Sequence, residues 1–322
     1  MQNLGFNEEN YLIANPDVAE AVLLGQFRSG RAHYEAVGKK EGRAFNLACG
    51  ITREAMVMST LDITGLGLEI GPSHNPIAPK CKGYRVHILD HLDREGLRNK
   101  YAGHAQYGAN IDNIEDVDFV WHGEPLSELI RKTSCYDWII ASHVIEHVPD
   151  LITFFQQCEA LLKKDGRLSL VVPDKRYCFD HFNSVTSTGE FLDAYGEKRS
   201  RPSPGKVFDH FSNACKRGGK IAWNSTEAGQ FELIHSSEQA RSLWQQARTT
   251  LDYIDTHCWR FTPESFRLVL SDFVLLGLTS FEMVKNFETI GCEFYVTLGK
   301  NGTIAKVSDR LASLQARKSS DI

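Results

Sequence analysis

The sequence predicts an α/β protein built on a doubly wound, mostly parallel sheet with helices on both faces. From residue 66 onward, short apolar runs rich in β-branched residues alternate with segments of helical periodicity. Acids lie at or near the ends of the first two runs, where a parallel sheet opens its carboxyl edge to a ligand. The chain has 322 residues, 42% of them hydrophobic, which is enough for one large domain or two smaller ones.

Residues 6 to 46 read as a separate helical unit. Asn15-Pro16 supplies a cap and a first-turn proline, Val18 and Val22 an apolar face, and Gly25 a stop. A second short helix is expected through Ala32, Tyr34 and Val37 to Gly38. A unit of about 40 residues buries little surface alone, so it is expected to lean on the main domain or on a protein partner bound through residues 1–50.

The strands follow in order. Leu66–Ile70 stops at Gly71, Arg85–Leu89 at Asp90 and Val117–Trp121 at His122. Trp138–Ala141 and Leu168–Val172 come next, the latter stopped by Pro173. Between them an amphipathic crossover helix runs from its cap Asp150 to Lys164, with Gly166 just beyond its end. Residues 175–258 interrupt the alternation as a polar, aromatic-rich, largely helical insertion over the sheet. Thr262-Pro263 then opens a helix that buries Phe266, Val269, Leu270, Phe273 and Val274 and ends at Gly277. Two more strands are expected near Phe281–Phe287 and Glu293–Leu298, before a polar tail after Asn301 that is expected to form a fraying surface helix.

Charge and cysteine usage narrow the function classes. Lys plus Arg number 36 against 41 Asp plus Glu, a net charge of -5, so no excess of cations marks the chain for nucleic acid. No apolar run reaches the roughly 18 residues of a bilayer span, and Met1–Gly5 has no basic or apolar leader character, so a cytoplasmic protein is expected. The eight cysteines never form C-x-x-C, which disfavours a zinc knuckle, an iron–sulfur centre or a disulfide framework. Buried thiols are expected.

The chemistry gathers at the strand ends. Glu69-Ile70-Gly71-Pro72-Ser73 places an acid before a glycine turn, and Asp90 closes the next strand. At a switch point such a carboxylate accepts hydrogen bonds from ribose hydroxyls while the glycine lets the backbone approach the ligand. A dinucleotide fingerprint would need G-x-G-x-x-G, but Ser73 and Pro76 stand at its second and third glycines. A cofactor with an adenosine and no diphosphate therefore fits better than NAD, and a nicotinamide-dependent oxidoreductase is the weaker alternative.

These residues resemble the class I S-adenosylmethionine-dependent methyltransferases. Glu69-Ile70-Gly71 with Ser73 is similar to their first motif, Asp90 to their ribose-binding acid, and Ser142-His143-Val144-Ile145-Glu146-His147 to the fourth-strand segment of the subgroup carrying S-H-V-L-E-H. The resemblance implies a Rossmann-like seven-stranded sheet with an antiparallel last strand, S-adenosyl-L-methionine as cofactor, and methylation of a small-molecule or glycan-linked hydroxyl. It implies that Glu69, Gly71, Pro72 and Ser73 line the methionine end, Asp90 the ribose and His122-Gly123 the adenine edge, with Ser142 beneath the transferred methyl. Pro72 and His122 depart from the pattern, which usually has a small residue and an Asp at these places.

Methyl transfer needs alignment and dryness, and a hydroxyl acceptor also benefits from a base, for which His suits neutral pH best. His147 is the first candidate, His143 the second and His181 the third. Tyr177, Asp255 and His257, in or just after the insertion, are candidates for holding the acceptor. Asp209-His210 and His235 are further ligand-capable groups, but neither they nor the His143/His147 pair show a third ligand at metal-binding spacing, so no metal is expected. The N-terminal pattern Asn15-Pro16-Asp17-Val18, His33-Tyr34 and Glu41-Gly42-Arg43 resembles a short bacterial repeat appended to secreted proteins and glycan-building enzymes. It points to a glycan context and leaves a non-catalytic scaffold protein of glycan assembly as the alternative from another class.

Overall fold

The computed structural model describes residues 8, 11–12, 15, 18, 21–22, 25–41, 52–103, 110–300 and 310–320. Two compact units divide the chain, Met1–Met56 and Val57–Ile322.

In the first unit, α1 (Gly30–His33) is capped by the Ser29 side chain and passes straight into a π-helical turn, Tyr34–Gly38. Tyr11 is its core residue, with its hydroxyl 2.8 Å from His33 Nδ1. Gly38 is required there, because a Cβ would lie 2.2 Å from that hydroxyl. Gly25 closes the preceding segment at φ +72°. Pro16, Asp17, Gly42 and Arg43, on which part of the repeat resemblance rests, lie outside the described residues.

The second unit begins in α2 (Arg53–Met58). Its first three strands are β1 (Gly67–Ile70), β2 (Val86–Asp90) and β3 (Phe119–Val120), with α3 (Arg94–Tyr101) between the last two. Then come α4 (Leu126–Ile130), β4 (Tyr136–Ser142), α5 (Leu151–Leu161) and β5 (Leu162–Pro173). The insertion holds α6 (Thr188–Gly196), α7 (Pro204–Asn213), β6 (Cys215–Arg217), β7 (Phe231–Leu233) and α8 (Ser237–Thr249). The chain closes with α9 (Pro263–Leu275), β8 (Glu282–Ile290), β9 (Glu293–Gly299) and α10 (Arg310–Ser320). The main sheet runs β3-β2-β1-β4-β5-β9-β8, parallel from β3 to β5, with β9 antiparallel to both its neighbours. This is the expected seven-stranded, doubly wound arrangement.

The central strands are apolar on both faces, as strands between two helical layers must be. Trp138, Ile139 and Ile140 of β4 and Leu168, Leu170, Val171 and Val172 of β5 are fully buried. Asp150 caps α5 by accepting from Thr153 N at 3.0 Å, and α5 buries Leu151, Phe154, Phe155, Cys158 and Leu161. Phe155 meets Phe273 of α9 at 6.4 Å and Phe281 at 5.8 Å, so the caps predicted for α5 and α9 start the helices that cover this core.

Four expectations are corrected. The crossover helix stops at Leu161, and Leu162–Arg167, including Lys163-Lys164-Asp165-Gly166, belongs to β5, where Tyr136 pairs with Leu162. The insertion is not purely helical, since β6 and β7 pair antiparallel. Only four of the seven described cysteines are buried; Cys81 is exposed on the turn Lys80–Lys82, and Cys135 and Cys292 are half-buried. The C-terminal helix docks on α9, through Thr262 Oγ1 and Ser320 Oγ at 3.0 Å and an Arg310–Asp272 pair.

Strand order reverses between β1 and β4, since β2 and β3 lie to one side and β5 to the other. A crevice therefore opens at their carboxyl ends.

Candidate active site

On the β1 side, Glu69 is buried and its carboxylate accepts from Ile77 N at 2.7 Å and Ala78 N at 3.0 Å, shaping the loop after the strand. Gly71 has φ +64°, and a Cβ there would come within 2.9 Å of Val144 Cγ2, so only glycine lets this turn pass the β4 loop. Pro72 is buried next to it. Ser73, at φ +52°, donates its backbone N–H to Asp90 Oδ2 at 3.0 Å. Asp90 Oδ1 accepts from His91 N at 2.8 Å and lies 2.6 Å from His91 Nδ1. A carboxylate has about four acceptor directions, so Asp90 keeps one on Oδ2. Trp121 N donates to the Asp90 carbonyl at 2.8 Å and so sets the turn into His122 and Gly123. His122 is exposed, with its backbone N–H bound by Glu124, and Gly123 has φ +104°.

On the β4 side, Ser142 is followed by His143 at φ +53°. His143 Nε2 lies 2.6 Å from Glu293 Oε2, and its Nδ1 is 3.5 Å from Glu146 Oε1. Glu293 is steadied by the Tyr295 hydroxyl, which donates to Oε1 at 2.7 Å. The end of the insertion is laced to this turn. Cys258 N and Trp259 N donate to the Glu146 carbonyl at 2.6 and 3.2 Å, Tyr253 Oη to the His147 carbonyl at 2.8 Å, and Trp259 Nε1 to the Val148 carbonyl at 2.5 Å.

That lacing brings two predicted acceptor residues onto the predicted base. His147 Nδ1 is 2.8 Å from Asp255 Oδ1, and the His147 ring meets His257 edge to face at 4.6 Å. His257 Nδ1 donates to Asp180 Oδ2 at 2.5 Å, and Arg260 Nε donates to Asp180 Oδ1 at 3.2 Å. His210 Nδ1 accepts from His257 N at 3.2 Å.

The charges follow the geometry. Burial opposes protonation of His147, but Asp255 beside its ring, with Glu146 and Asp180 nearby, raises its pKa above the ordinary histidine value. Asp255 is held well below the carboxylate range chiefly by His147. Asp180 is held low too: burial works against ionisation, but His257 and Arg260 outweigh it. Burial and the neighbouring His257 push His210 down to about 3, so it stays neutral at physiological pH.

The other two predicted residues go elsewhere. His181 Nδ1 lies 2.8 Å from the Arg176 carbonyl, and its ring stacks on Phe231 at 4.7 Å within the aromatic group of the insertion. Tyr177 has the Arg176 guanidinium over its ring at 5.4 Å, and its carbonyl accepts from Trp223 N.

The methyltransferase-domain family model matches residues 64–273. The chain belongs to that family. Its methyl donor is accordingly S-adenosylmethionine. The chain is 36% identical over 72 residues to the mitochondrial ubiquinone biosynthesis O-methyltransferase of Bos taurus, which covers 22% of this chain and 20% of the relative. It is 26% identical over 148 residues to the ubiquinone biosynthesis O-methyltransferase of Actinobacillus pleuropneumoniae serotype 7, 45% of this chain and 52% of that one. It thus spans about a fifth and about half of the two relatives. Among solved structures, the CcbJ methyltransferase from Streptomyces caelestis is 13% identical with a TM-score of 0.39, over 77% of this chain and 93% of that one.

Three carboxylates of this methyltransferase domain were not singled out as site residues from sequence. Glu293 opens β9, which is antiparallel, so its first residue and not its last reaches the carboxyl edge, paired with Pro173 of β5. The turn at Gly291, φ +66°, just before an expected last strand was the available signal. Asp180 reaches His257 across 77 residues of chain, and nothing local marks it. Glu146 sits in the motif, yet only the structure shows its carboxylate fully buried. The third ligand-capable group lacking beside His147 in sequence is His257. Glu146, His147 and His257 offer ligand atoms all within 4.8 Å of one another.

Proposed function

We propose that the domain transfers a methyl group from S-adenosylmethionine to a hydroxyl oxygen of a small-molecule or glycan-linked acceptor, with His147 taking the hydroxyl proton. The observation that carries this reading is the pairing of His147, just after β4, with Asp255. A carboxylate on Nδ1 leaves Nε2 as the basic nitrogen and stabilises the imidazolium that forms. The relatives named as O-methyltransferases support oxygen as the acceptor atom.

Fit to the donor is read from the crevice floor. Gly71 makes its turn at φ +64° without a side chain, and Asp90 keeps one acceptor direction on Oδ2 for a ribose hydroxyl. Bound there, the donor supplies a methyl carbon made electrophilic by its sulfonium. The protein's part is to hold the acceptor oxygen in line with that carbon, exclude water, and accept at His147 Nε2 the proton released as the O–C bond forms. In this reading His143, held by Glu293 at 2.6 Å, and Ser142 stand at the donor's methyl, and His257 and Asp255, both beside His147, hold the acceptor.

Titration calorimetry with S-adenosylhomocysteine checks the donor half: Asp90→Ala is expected to weaken binding at least about tenfold, or ~1.4 kcal/mol. Unchanged affinity overturns the ribose assignment. For the acceptor half, label from radioactive donor should enter a small-molecule or polysaccharide fraction of cell extract. His147→Ala should lower kcat by about a hundredfold or more with donor affinity intact. Full activity in that variant removes the base.

A further inference from the structure

Glu146 has a carboxylate that the proposed methyl transfer does not use. It is fully buried, and neither oxygen accepts a hydrogen bond. The approach of His143 Nδ1 stops at 3.5 Å. A buried carboxylate without compensating partners costs several kcal/mol, so a fold that keeps one here has a further use for its charge.

Both neighbouring histidines have a carboxylate at Nδ1, hydrogen-bonded at His257 and at ion-pair distance without hydrogen-bond geometry at His147. His147 turns Nδ1 to Asp255 and His257 turns Nδ1 to Asp180, which leaves Nε2 of each as the nitrogen free to bind. Metal-bound imidazoles almost always have their far nitrogen held by a carboxylate, a backbone carbonyl or water, and a carboxylate there fixes the ring and raises its donor strength. Asp180 is itself fixed by Arg260, and the backbone of the Glu146 turn is tied to the His257 segment through Cys258 N. The three ligand atoms lie within 4.8 Å of one another, whereas ligands at about 2.1 Å on a tetrahedral ion lie about 3.4 Å apart, so the side chains close by up to about 1.4 Å on binding.

We propose that Glu146, His147 and His257 form a site for a divalent first-row transition-metal ion, zinc foremost, and that its occupancy switches the methyl transfer off. Two imidazoles and one carboxylate are a zinc donor set, and the shortage of further protein ligands leaves a position for water. The inhibitory consequence rests on the reading of His147 as the base: an ion on Nε2 occupies the lone pair that would take the proton. The site itself does not rest on that reading. Binding requires an unprotonated His147 and releases the proton it carries, so affinity falls with acid.

The tag-free full-length chain, treated with chelator, is titrated with Zn²⁺ by calorimetry and with Co²⁺ by its visible d–d absorption. One ion per chain with micromolar or tighter affinity is expected. Glu146→Gln and His257→Ala should each weaken binding at least about tenfold, and Asp180→Asn, behind the ligand, by about ten- to a hundredfold. Circular dichroism checks that each variant folds; Glu146→Gln, nearly isosteric, carries the test if His257→Ala does not. Absence of micromolar binding, or binding indifferent to Glu146→Gln, overturns the site. Zinc that binds without slowing methyl transfer overturns the switch and the role of His147 together while the site stands. A chain that binds no zinc yet loses activity in His147→Ala overturns the site alone.

Discussion

As the proposed base, His147 takes a proton only while its Nε2 is bare, and Asp255 beside it raises the pKa that sets this balance. Burial alone would depress the pKa of this imidazole; the carboxylate at 2.8 Å reverses the sign. The free enzyme's kcat/KM is therefore expected to climb with pH through an inflection above about 6.5, the ordinary histidine value. Asp255→Asn removes the charge at 2.8 Å and leaves burial opposed only by Glu146 and Asp180. The inflection should move to lower pH, and the plateau kcat should fall because the weaker base takes the proton less readily. A pH–rate series on both proteins measures this. An inflection that stays in place, or moves up, separates Asp255 from proton transfer and leaves it a surface contact.

At the scale of elements, β1 lies against β4 through an absent side chain. A Cβ on Gly67 would sit 2.1 Å from the ring of Trp138, which is fully buried and has no room to withdraw. Gly67→Ala is expected to cost about 2 kcal/mol through overpacking, a fall of about 5 °C in Tm for a unit of this size. A Tm within 1 °C of the parent, that figure being about the noise of calorimetry, would mean the sheet yields more easily than its density suggests. Local patterns carried most of this layer. Cap residues such as Asp150 and Thr262, stops such as Gly71 and the apolar run of β4 are written within a few residues of where they act. Long-range features were harder to read. The Lys163–Gly166 stretch lies within β5 at a register irregularity between the Tyr136–Leu162 and Trp138–Arg167 pairs, which no local pattern in its polar composition announces. Glu293 meets His143 across 150 residues and Asp180 meets His257 across 77, pairings that no window of sequence contains. Asp90 and His147 were singled out by residue type at strand ends, Asp255 and His257 by residue type at the end of the insertion, and what brings the last three together is the hydrogen bonding of residues 253–259 to the β4 turn.

For the whole molecule, the buried titrating groups predict how stability depends on pH, with two histidines of opposite sign. His147 has a raised folded pKa, so its contribution is complete below about 6.5 and is lost as pH rises through the folded value. His210 is depressed to about 3: the unfolded chain takes up its proton below about 6.5 while the folded chain refuses it, so stability is lost as pH falls from there. Asp180 and Asp255, held low, contribute fully above about 4 and lose that contribution as pH falls further. At the alkaline end, burial raises the thiols of Cys158 and Cys178, so the unfolded chain gains by ionising them above about 8.5. The maximum is therefore expected near pH 6.5, with stability falling above it as His147 gives up its proton and below it as the unfolded chain protonates His210. The acid limb should start near pH 6.5, well before carboxylates protonate, and at pH 5 His210 should account for about 1 kcal/mol, or roughly 3 °C in Tm, allowing for its partial exposure. His210→Gln keeps a polar side chain and removes the titration. Its Tm should stay level from pH 7 to about 4.5 and fall only where the aspartates protonate. Thermal scans of both proteins across pH 3 to 9, a range bracketing these groups, decide the matter: parallel acid limbs would show that His210 is already protonated in the folded chain, and the neutral imidazole beneath His257 would have to be abandoned.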